Sequence, residues 1–365
     1  MTAGAHSASR VDVVTGSHTS AIWVGDGLLD SLGSRLDAHG VGAKRFVVSS
    51  PRIWRHYGPT IQQAIPGDPI LIPDGERHKT LASVSRIYDA LIRGGADRGS
   101  TVVAVGGGVV GDTAGFAAAS FLRGVALVQV PTTLLAQVDS AIGGKVGVNH
   151  ALGKNLIGAF HQPTLVLADP RVLRTLPRRE FRSGLYEVVK YGMIWSRPLF
   201  DRLVGSTRKI FAHDLEALTP AILESAQIKA EVVSKDEREG GLRRILNFGH
   251  TIGHALEAVT AYRHFRHGEA IAFGMLGAAD IAATRGVLAA DDRQALVDLI
   301  GKLGSLPAVS HLSRRAVLEA VRRDKKVVHG KLHYVLATAI GRTETVDDVS
   351  EEEIASALAR MGLGD

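Results

Sequence analysis

The sequence predicts an α/β fold with two domains, an open α/β sheet domain over residues 1–178 and a mostly α-helical domain over residues 179–365. The first observation is a change in the pattern of apolar residues near residue 175. Before it, short Val-, Ile- and Leu-rich runs alternate with Gly-rich turns and helical stretches, which indicates an open parallel sheet. Beyond residue 180 the apolar residues recur with helical spacing. The second observation is length, since 365 residues are enough for two domains of ordinary size.

Five short apolar runs of the first domain are typical of buried parallel strands. They cover residues 45–48, 70–72, 101–105, 125–130 and 164–167. Between the second and third runs, residues 80–94 carry apolar side chains on one helical face. Beyond residue 180, helices are predicted at 187–194, 218–235, 246–260, 269–284, 291–301 and 314–323, with a short strand at 332–336.

A glycine-rich turn follows the third predicted strand. Gly106, Gly108 and Gly111 fit the G-x-G-x-x-G spacing, and a helix of small residues comes next. Such a turn lets the backbone approach a pyrophosphate at the helix N-terminus, so the first domain is predicted to be Rossmann-like and nucleotide-binding. No acidic residue closes a second strand about 20 positions on, which leaves Asp74 and Glu76 as candidates for the ribose. A tight turn packed on the sheet without a ligand is the alternative.

Residues 131–163 combine basic, amide and acidic side chains with Gly-rich loops. Thr132 and Thr133 end a strand at the edge where open sheets bind ligands. Lysines in the loops lie near one carboxylate and two amides in the sequence: Lys145, Lys154, Asp139, Asn149 and Asn155. Together they offer the charges and donors that phosphate and hydroxyl groups need, although lysines in loops often simply face water.

Histidines and carboxylates form a candidate metal site. His250, His254 and Glu257 lie on one helical face at i, i+4 and i+7, His267 begins another helix, and Glu187 lies on an earlier one. Because the chain has no cysteine, His, Asp or Glu must hold any metal. Sequence spacing does not show whether His250 or His254 is the metal ligand. The alternative to a metal site is that the histidines form ordinary hydrogen bonds and bind no metal.

The composition narrows the class of protein. The formal net charge is +6, but the basic residues are scattered and only 5% of residues are aromatic, so no nucleic-acid partner is expected. Neither a run of 18 apolar residues nor the apolar core of a signal peptide is found. We expect a soluble cytoplasmic protein without a membrane partner.

Five segments together carry a resemblance to a known family. They read PTTLLAQVDSAIGGKVGVN from residue 131, KNLIGAFHQP from 154, EVVKYG from 187, DEREGGLRRILNFGHTIGHALE from 236 and HGEAIAFGM from 267. In this order they resemble the 3-dehydroquinate synthases of the sugar-phosphate cyclase superfamily, from about residue 70 to residue 340.

The resemblance implies a carbon–oxygen lyase of the shikimate pathway, which leads to chorismate and the aromatic amino acids. Its members convert 3-deoxy-D-arabino-heptulosonate 7-phosphate into 3-dehydroquinate and phosphate. They use tightly held NAD and a divalent metal, usually Zn²⁺, with Co²⁺ as a substitute. Transient oxidation by NAD precedes phosphate elimination, re-reduction and an intramolecular aldol step. A homodimer is also implied.

The resemblance also assigns residues. The metal falls to Glu187, His250 and His267, and His254 becomes an unligated proton-transfer group. The implied catalytic residues are His254, Lys190, Lys229, Asn247, Asp139 and Glu239. The implied substrate-binding residues are Asp139, Lys145, Asn155, Lys190, Lys229, Arg243, Asn247, His254, Lys325 and Lys326. The implied NAD-binding residues are Asp74, Gly75, Glu76, Arg77, His78, Lys79, Gly108, Val109, Val110, Gly111, Asp112, Thr132, Thr133, Lys145, Lys154, Val172, Leu173, Arg174 and Thr175.

One residue departs from the family pattern. Tyr186 precedes the implied ligand Glu187 where most members have a small residue, and we interpret it as a packing residue. Four alternatives remain: another sugar-phosphate cyclase making an inosose or a valiolone, a metal-dependent NAD polyol or glycerol-phosphate dehydrogenase, an inactive relative, and a nucleic-acid binder.

Overall fold

A computed structural model describes residues 8–16, 18–327 and 333–365, without the side chains of 324–327. The chain forms two compact units. The first contains the residues up to Pro177 together with His213–Arg238, and the second contains Arg178–Ala212 together with Glu239–Asp365. The predicted fold class, an α/β sheet followed by a mostly helical remainder, is confirmed. The functional division at residue 178 stays a prediction.

The strands within the described residues are β1 Ser9–Val14, β2 Thr19–Val24, β3 Arg45–Ser49, β4 Ile70–Leu71, β5 Thr101–Gly106, β6 Ala126–Pro131, β7 Lys145–His150, β8 Gly153–Phe160, β9 Leu165–Ala168, β10 Tyr334–Ala339 and β11 Arg342–Val346. The helices are α1 Leu32–Ala38, α2 Pro51–Ala64, α3 Leu81–Arg93, α4 Gly108–Ser120, α5 Arg178–Ile194, α6 Arg197–Phe211, α7 Leu215–Lys235, α8 His250–Val259, α9 His267–Thr284, α10 Ala290–Leu303, α11 Arg314–Val327 and α12 Glu351–Arg360.

A seven-stranded sheet, counted over the described residues, organises the first unit in the order β1-β2-β9-β6-β5-β3-β4. β1 is antiparallel to β2, and the other neighbours are parallel. From β3 the chain passes to β4 on one side, whereas from β5 it passes to β6 on the other. The connections therefore diverge between β3 and β5, and such a switch point is where open sheets bind ligands.

The central strand β5 is buried on both faces, as its unbroken apolar run predicted. Val102 and Ala104 pack into one core with α3 and α4, and Val103 and Val105 pack into another with α1 and α2. The alternation follows from the two-residue period of a strand. Helices on both faces of a parallel sheet thus hold the glycine turn after β5 in a fixed place.

The hairpin of β7 and β8 replaces the Gly-rich loops expected around Lys145 and Lys154. That expectation is wrong, because both lysines lie in strands whose antiparallel pairing runs from Lys145 opposite Phe160. Gly147 and Gly158 face each other, and a Cβ on either would come within 2.6 Å of a carbonyl oxygen of the other strand. The glycines therefore permit close strand pairing, although they hide the strand pattern in the sequence.

In the second unit, close helix packing brings α5, α8 and α9 together. A Cβ added to Gly268 on α9 would collide with the backbone of Ser183 on α5, and one added to Gly274 would collide with the backbone of Gly249. The helix expected over 246–260 begins later, because residues Leu242–Asn247 form a 3₁₀ turn and Gly249 is left-handed with φ 79°. Helices α6 and α12 were not expected.

The predicted strand at 332–336 corresponds to β10 from Tyr334 onward, which pairs with β11 as an antiparallel hairpin. Residue 332 itself lies outside the described residues. Among the described helices, none combines the length and apolarity that crossing a membrane requires.

Candidate functional site

Apart from Lys145 and Lys154, which lie in the β7–β8 hairpin, the residues expected to bind NAD follow four parallel strands of one sheet. Asp74–Lys79 come after β4, Gly108–Asp112 after β5, Thr132 and Thr133 after β6, and Val172–Thr175 lie in a 3₁₀ turn after β9. Because these strands are parallel, all four segments lie at the carboxyl edge, on both sides of the switch point. Four segments far apart in sequence thus share the sheet edge at which open α/β folds bind ligands.

The glycine turn starts α4 at this edge. No side chain caps the N-terminus of α4, so its first backbone N–H groups are available to an anion. Packing requires two of the predicted glycines, because a Cβ on Gly106 would come within 2.6 Å of Val110 and one on Gly111 within 2.8 Å of the Gln129 Oε1 atom. The third glycine of the fingerprint usually serves such close helix–strand packing.

A buried polar network connects two of these segments with the β7–β8 hairpin in the first unit. Lys79 Nζ lies 2.5 Å from both Asp112 Oδ2 and Asn155 Oδ1. Asn149 donates to Glu76 Oε1 at 2.8 Å and accepts from the Asn155 backbone N–H at 3.0 Å. Burial raises the pKa of Asp112 against the opposing charge of Lys79. The network fixes Lys79, Asp112 and Asn155 relative to the glycine turn.

Other predicted residues of this edge are held by short-range contacts. Asp74 accepts a hydrogen bond from Ser50 at 2.5 Å, and the Thr133 hydroxyl accepts from the Ala136 N–H at 3.1 Å. Tyr57, which the sequence did not single out, donates to the Val172 carbonyl at 2.7 Å and lies 2.6 Å from Thr175 Oγ1. Tyr57 lies within α2 and belongs to no recognisable sequence motif, so its contacts with Val172 and Thr175 could be found only from the structure.

Lys229 and Asp139 form an ion pair in the first unit. Lys229 lies on α7, and its ammonium also donates to the Asp139 carbonyl at 2.6 Å. Asp139 lies in the helical turn Ala136–Ser140 that follows β6. The structure therefore brings together two residues, 90 positions apart, that the family resemblance assigned to catalysis.

In the second unit, Glu187 from α5 meets the first residues of α8 and α9. Its Oε1 atom lies 3.9 Å from His250 Nε2 and 3.7 Å from His267 Nε2, and the carboxylate is fully buried. Neither carboxylate oxygen makes a well-directed hydrogen bond to a described residue, although Lys190 forms an ion pair with it. A buried carboxylate facing two imidazole nitrogens is the environment a divalent cation would complete.

The ring orientation of both histidines fits this use. His250 Nδ1 lies 3.1 Å from the Phe248 carbonyl, and His267 Nδ1 lies 3.3 Å from Glu257 Oε2. Both partners can only accept, so each Nδ1 is the protonated nitrogen and each Nε2 offers its lone pair towards Glu187. Burial, and then the charge of Lys190, holds the pKa of His250 well below its ordinary value, which keeps the imidazole neutral.

A second set of three possible ligands shares this region, namely His254, Glu257 and His267. Spacing alone could not choose between the sets. In each set the donor atoms all lie within 4.8 Å of one another, but it is in the first set that the carboxylate, Glu187, has no well-directed hydrogen bond from a described residue. One carboxylate oxygen and two imidazole nitrogens are suitable for Zn²⁺ or Co²⁺ and leave coordination positions for a substrate. His254 is exposed one turn further along α8.

The remaining predicted residues of the second unit lie in or near the 3₁₀ turn Leu242–Asn247. Asn247 donates to Glu239 Oε1 at 2.7 Å, and Arg243 is buried. The side chains of Lys325 and Lys326 lie outside the described part of the structure. Tyr186 is completely buried, with its hydroxyl 3.4 Å from the Gly304 carbonyl, and burial raises its pKa to about 12.

Glu269 is a buried carboxylate that the sequence did not indicate. Arg179 binds both of its oxygens, at 2.8 and 2.7 Å, and Arg182 adds a contact at 3.2 Å. Glu269 also accepts the Arg266 N–H at 2.8 Å, which caps α9 just before His267. These contacts fix the start of α9 to the start of α5, so the two helices present His267 and Glu187 at a set separation.

Comparisons with known proteins first define a class. The fold is shared with a probable glycerol dehydrogenase from Sinorhizobium meliloti, with a TM-score of 0.62 at 18% identity, over 92% of this chain and 94% of that one. It is shared more closely with 2-epi-5-epi-valiolone synthase from Streptomyces hygroscopicus subsp. jinggangensis with NAD⁺ and Zn²⁺ bound. There the TM-score is 0.86 at 29% identity, over 97% of this chain and 99% of that one. The 2-deoxy-scyllo-inosose synthase complexed with carbaglucose-6-phosphate, NAD⁺ and Co²⁺ has a TM-score of 0.83 at 28% identity, over 96% and 99%.

The family is then defined by sequence. Residues 69–183 match the family described as 3-dehydroquinate synthase N-terminal, and residues 184–327 match 3-dehydroquinate synthase C-terminal. The chain belongs to the 3-dehydroquinate synthase family. Relatives named 3-dehydroquinate synthase include one from Acaryochloris marina, 48% identical over 93% of this chain and 95% of its own length. Another from a Nostoc species is 46% identical over 97% and 99%.

Proposed function

We propose that the protein is a 3-dehydroquinate synthase, which converts 3-deoxy-D-arabino-heptulosonate 7-phosphate into 3-dehydroquinate and phosphate. The observation that carries this conclusion is 46–48% identity to proteins of that name over almost the whole chain. The expected lyase chemistry belongs to the shikimate pathway of aromatic amino-acid biosynthesis. A homodimer is part of the proposal, since the family resemblance implies it, and so is the cytoplasmic location that we expect from the sequence.

We infer that the cofactors are NAD and a divalent metal, Zn²⁺ or Co²⁺. Support comes from the solved cyclases, which bind NAD⁺ with one of these metals, and from the carboxylate–imidazole group of Glu187, His250 and His267. A bound dinucleotide supplies reversible hydride acceptance, and a bound divalent ion supplies Lewis acidity beside a substrate hydroxyl.

In the first unit, several side chains are suited to the binding of an anionic dinucleotide and sugar. The α4 N-terminus offers backbone N–H groups, and Lys79 adds a positive charge that Asp112 and Asn155 hold in place. Lys229 is held by the carboxylate and carbonyl of Asp139, so its ammonium is oriented before a substrate binds.

In the second unit, charge compensation and proton transfer are separate tasks. Lys190 neutralises part of the buried charge at Glu187, and the family resemblance also assigns it to substrate binding. His254 is exposed, its ring centroid lies 5.1 Å from that of His250, and it is the group we assign to proton transfer. We assign Arg243, Asn247, Lys325 and Lys326 to substrate recognition, and the departing phosphate can take the proton that elimination releases.

Another sugar-phosphate cyclase is the second candidate, because the fold agrees closely with valiolone and inosose synthases. Identity favours the first proposal, since it reaches 48% with a 3-dehydroquinate synthase but only 29% with the valiolone synthase. The dehydrogenase alternative rests on fold alone, and fold does not define activity.

A phosphate-release assay tests the proposal. Purified protein is incubated with 3-deoxy-D-arabino-heptulosonate 7-phosphate, with and without added NAD, while phosphate and NADH absorbance are followed. We expect phosphate release without net NADH, because the hydride is returned within each turnover. Stoichiometric NADH would indicate a dehydrogenase. Activity only on a sugar phosphate that lacks the carboxylate would indicate another cyclase.

A further inference from the structure

Glu257 is a buried carboxylate in the second unit that neither the catalytic nor the metal-binding assignment uses. It lies on α8, and its side chain is 5% exposed. Its Oε2 atom lies 3.3 Å from His267 Nδ1, on the opposite side of the ring from the nitrogen that faces Glu187. By sequence spacing it was a candidate metal ligand, and geometry also permits a ligand set that includes it.

Two roles for Glu257 are therefore chemically possible, and the contact at His267 separates them. As a ligand together with His267, Glu257 would share a cation with the Nδ1 atom that it now faces. As a hydrogen-bond acceptor, it leaves Nδ1 protonated and Nε2 free for the cation beside Glu187. Glu187 is the carboxylate without a well-directed hydrogen bond from a described residue, whereas Glu257 already accepts one. A cation is therefore better placed beside Glu187 than beside Glu257.

We propose that Glu257 is a positioning residue for the metal centre, which holds His267 in the Nδ1-protonated form and turns its Nε2 towards Glu187. The inference rests on the proposed metal-dependent function. A carboxylate behind a metal-bound imidazole fixes the ring orientation and makes the coordinating nitrogen more basic. His250 obtains the same orientation from the Phe248 carbonyl, so His267 alone of the two depends on a charged partner.

Metal affinity of the purified protein tests this role. Competition between each variant and a chromophoric chelator gives the Kd for Zn²⁺. We expect Glu257→Leu, which removes the acceptor at similar size, to weaken Zn²⁺ binding by about 10–100-fold. Glu257→Gln keeps a carbonyl acceptor without the charge and should lose less, so it provides a partial rescue. If Glu257→Leu is too unstable to purify, an affinity of Glu257→Gln equal to that of the parent overturns the proposal.

Glu353→Gln is the matched control, because it removes a partly buried glutamate from the ion pair with Arg285 in the same unit. It should lower stability without changing Zn²⁺ affinity. An equal loss of affinity in this variant would mean that reduced stability, not ring orientation, explains the effect, and would overturn the proposal.

The Co²⁺ absorption spectrum distinguishes positioning from direct ligation. At saturating Co²⁺, Glu257→Leu should keep the visible spectrum of the parent protein, because its ligand set is intact, whereas His250→Ala should not. A spectrum changed as in His250→Ala would make Glu257 a ligand and contradict our inference. A parent protein that binds neither metal would instead refute the metal centre of the proposed function.

Discussion

At the scale of single residues, the buried carboxylate of Glu187 determines which ion the second unit can bind. A fully buried carboxylate is expensive unless cations or hydrogen-bond donors surround it, and Lys190 is one such cation. The two imidazoles on its other side are oriented by acceptors and are therefore not hydrogen-bond donors to Glu187 through Nε2. The site favours a metal because a metal would coordinate the carboxylate and both imidazole nitrogens at once.

Replacement of the two α8 histidines should separate ligation from proton transfer. His250→Ala removes an Nε2 donor and should leave the dialysed protein without metal. His254→Ala should retain metal and lose about 10²–10⁴-fold in kcat, as expected for a general acid–base group. Metal content by elemental analysis, together with kcat, checks both. Equal metal loss in the two variants would show that His254 is also a ligand.

The sequence could indicate the chemistry of this site but not its geometry. Helical spacing brought His250, His254 and Glu257 to one face and left the choice of ligand open. The choice of ligand depends on which ring nitrogen forms a hydrogen bond to the Phe248 carbonyl or to Glu257. These contacts depend on where the backbone places the residues. Only the resemblance, which compares whole segments, named the set that the geometry favours.

At the scale of elements, the packing of α4 against β6 controls the nucleotide turn. Gln129 on β6 is buried, and its amide donates to the Gly111 carbonyl at 3.2 Å. The Gln129 side chain is thus fixed at the point where Gly111 has no Cβ. A side chain at position 111 would require either the buried Gln129 side chain or α4 to shift, and a shift of α4 would move the N–H groups at its start.

Gly111→Ala should therefore lower both stability and NAD affinity. The new Cβ would lie 2.8 Å from Gln129 Oε1, and overpacking of this kind costs about 1–3 kcal/mol. Urea unfolding and NAD titration by calorimetry measure the two effects. Gly205→Ala is the control, because an added Cβ there meets nothing within 4 Å in the exposed interior of α6, and it should gain up to about 1 kcal/mol. If the NAD affinity of Gly111→Ala is unchanged, the glycine turn does not take part in NAD binding.

Elements with a clear period were predictable, and those that depend on partners were not. The five predicted runs each became a strand of the main sheet, since buried parallel strands are apolar throughout. β7 and β8 were missed because glycines interrupt their alternation. α7 was predicted as a helix, but its assignment to the first unit was not, because an apolar face does not reveal which surface will cover it.

At the scale of the whole molecule, Arg285 at the end of α9 holds α12 in place within the second unit. Glu353 pairs with Arg285 through two oxygens, at 2.6 and 2.8 Å, and also completes a capping box with Ser350. These bonds, first that from Arg285, lower the pKa of Glu353 from 4.5 to about 2. The charged carboxylate is therefore favoured by the folded state.

The contribution of Glu353 to stability should depend on pH in a defined direction. A pKa that is lower in the folded state stabilises fully above about 4.5 and is lost as the pH falls towards 2. Glu353→Gln should thus be less stable than the parent at pH 7, with a difference that shrinks between pH 4.5 and 2. Denaturant unfolding of both proteins across this range is the measurement. A constant difference would assign the effect to packing rather than charge.

Removal of the metal should destabilise the protein as a whole. A ligand that binds only the folded state at 100 times its Kd adds about 2.7 kcal/mol to the free energy of unfolding. Chelator-treated protein should show a lower Tm that Zn²⁺ restores, while His250→Ala should respond to neither treatment. If chelation does not change the Tm of the parent protein, a bound metal ion does not stabilise its folded state.

The segment His213–Arg238 lies in the first unit although it follows α5 and α6 of the second. Its helix α7 packs on β1 and β2, and Ser234 accepts the Val14 N–H at 2.9 Å. Ribosomes add about 5–20 residues per second from the N-terminus, so the first strands must wait for residue 235 before their covering helix exists. By then α5 is made, but α8 and α9 are not. Translation therefore imposes an order in which the sheet unit can close first, and Glu187 stays without its histidine neighbours until synthesis has passed residue 267.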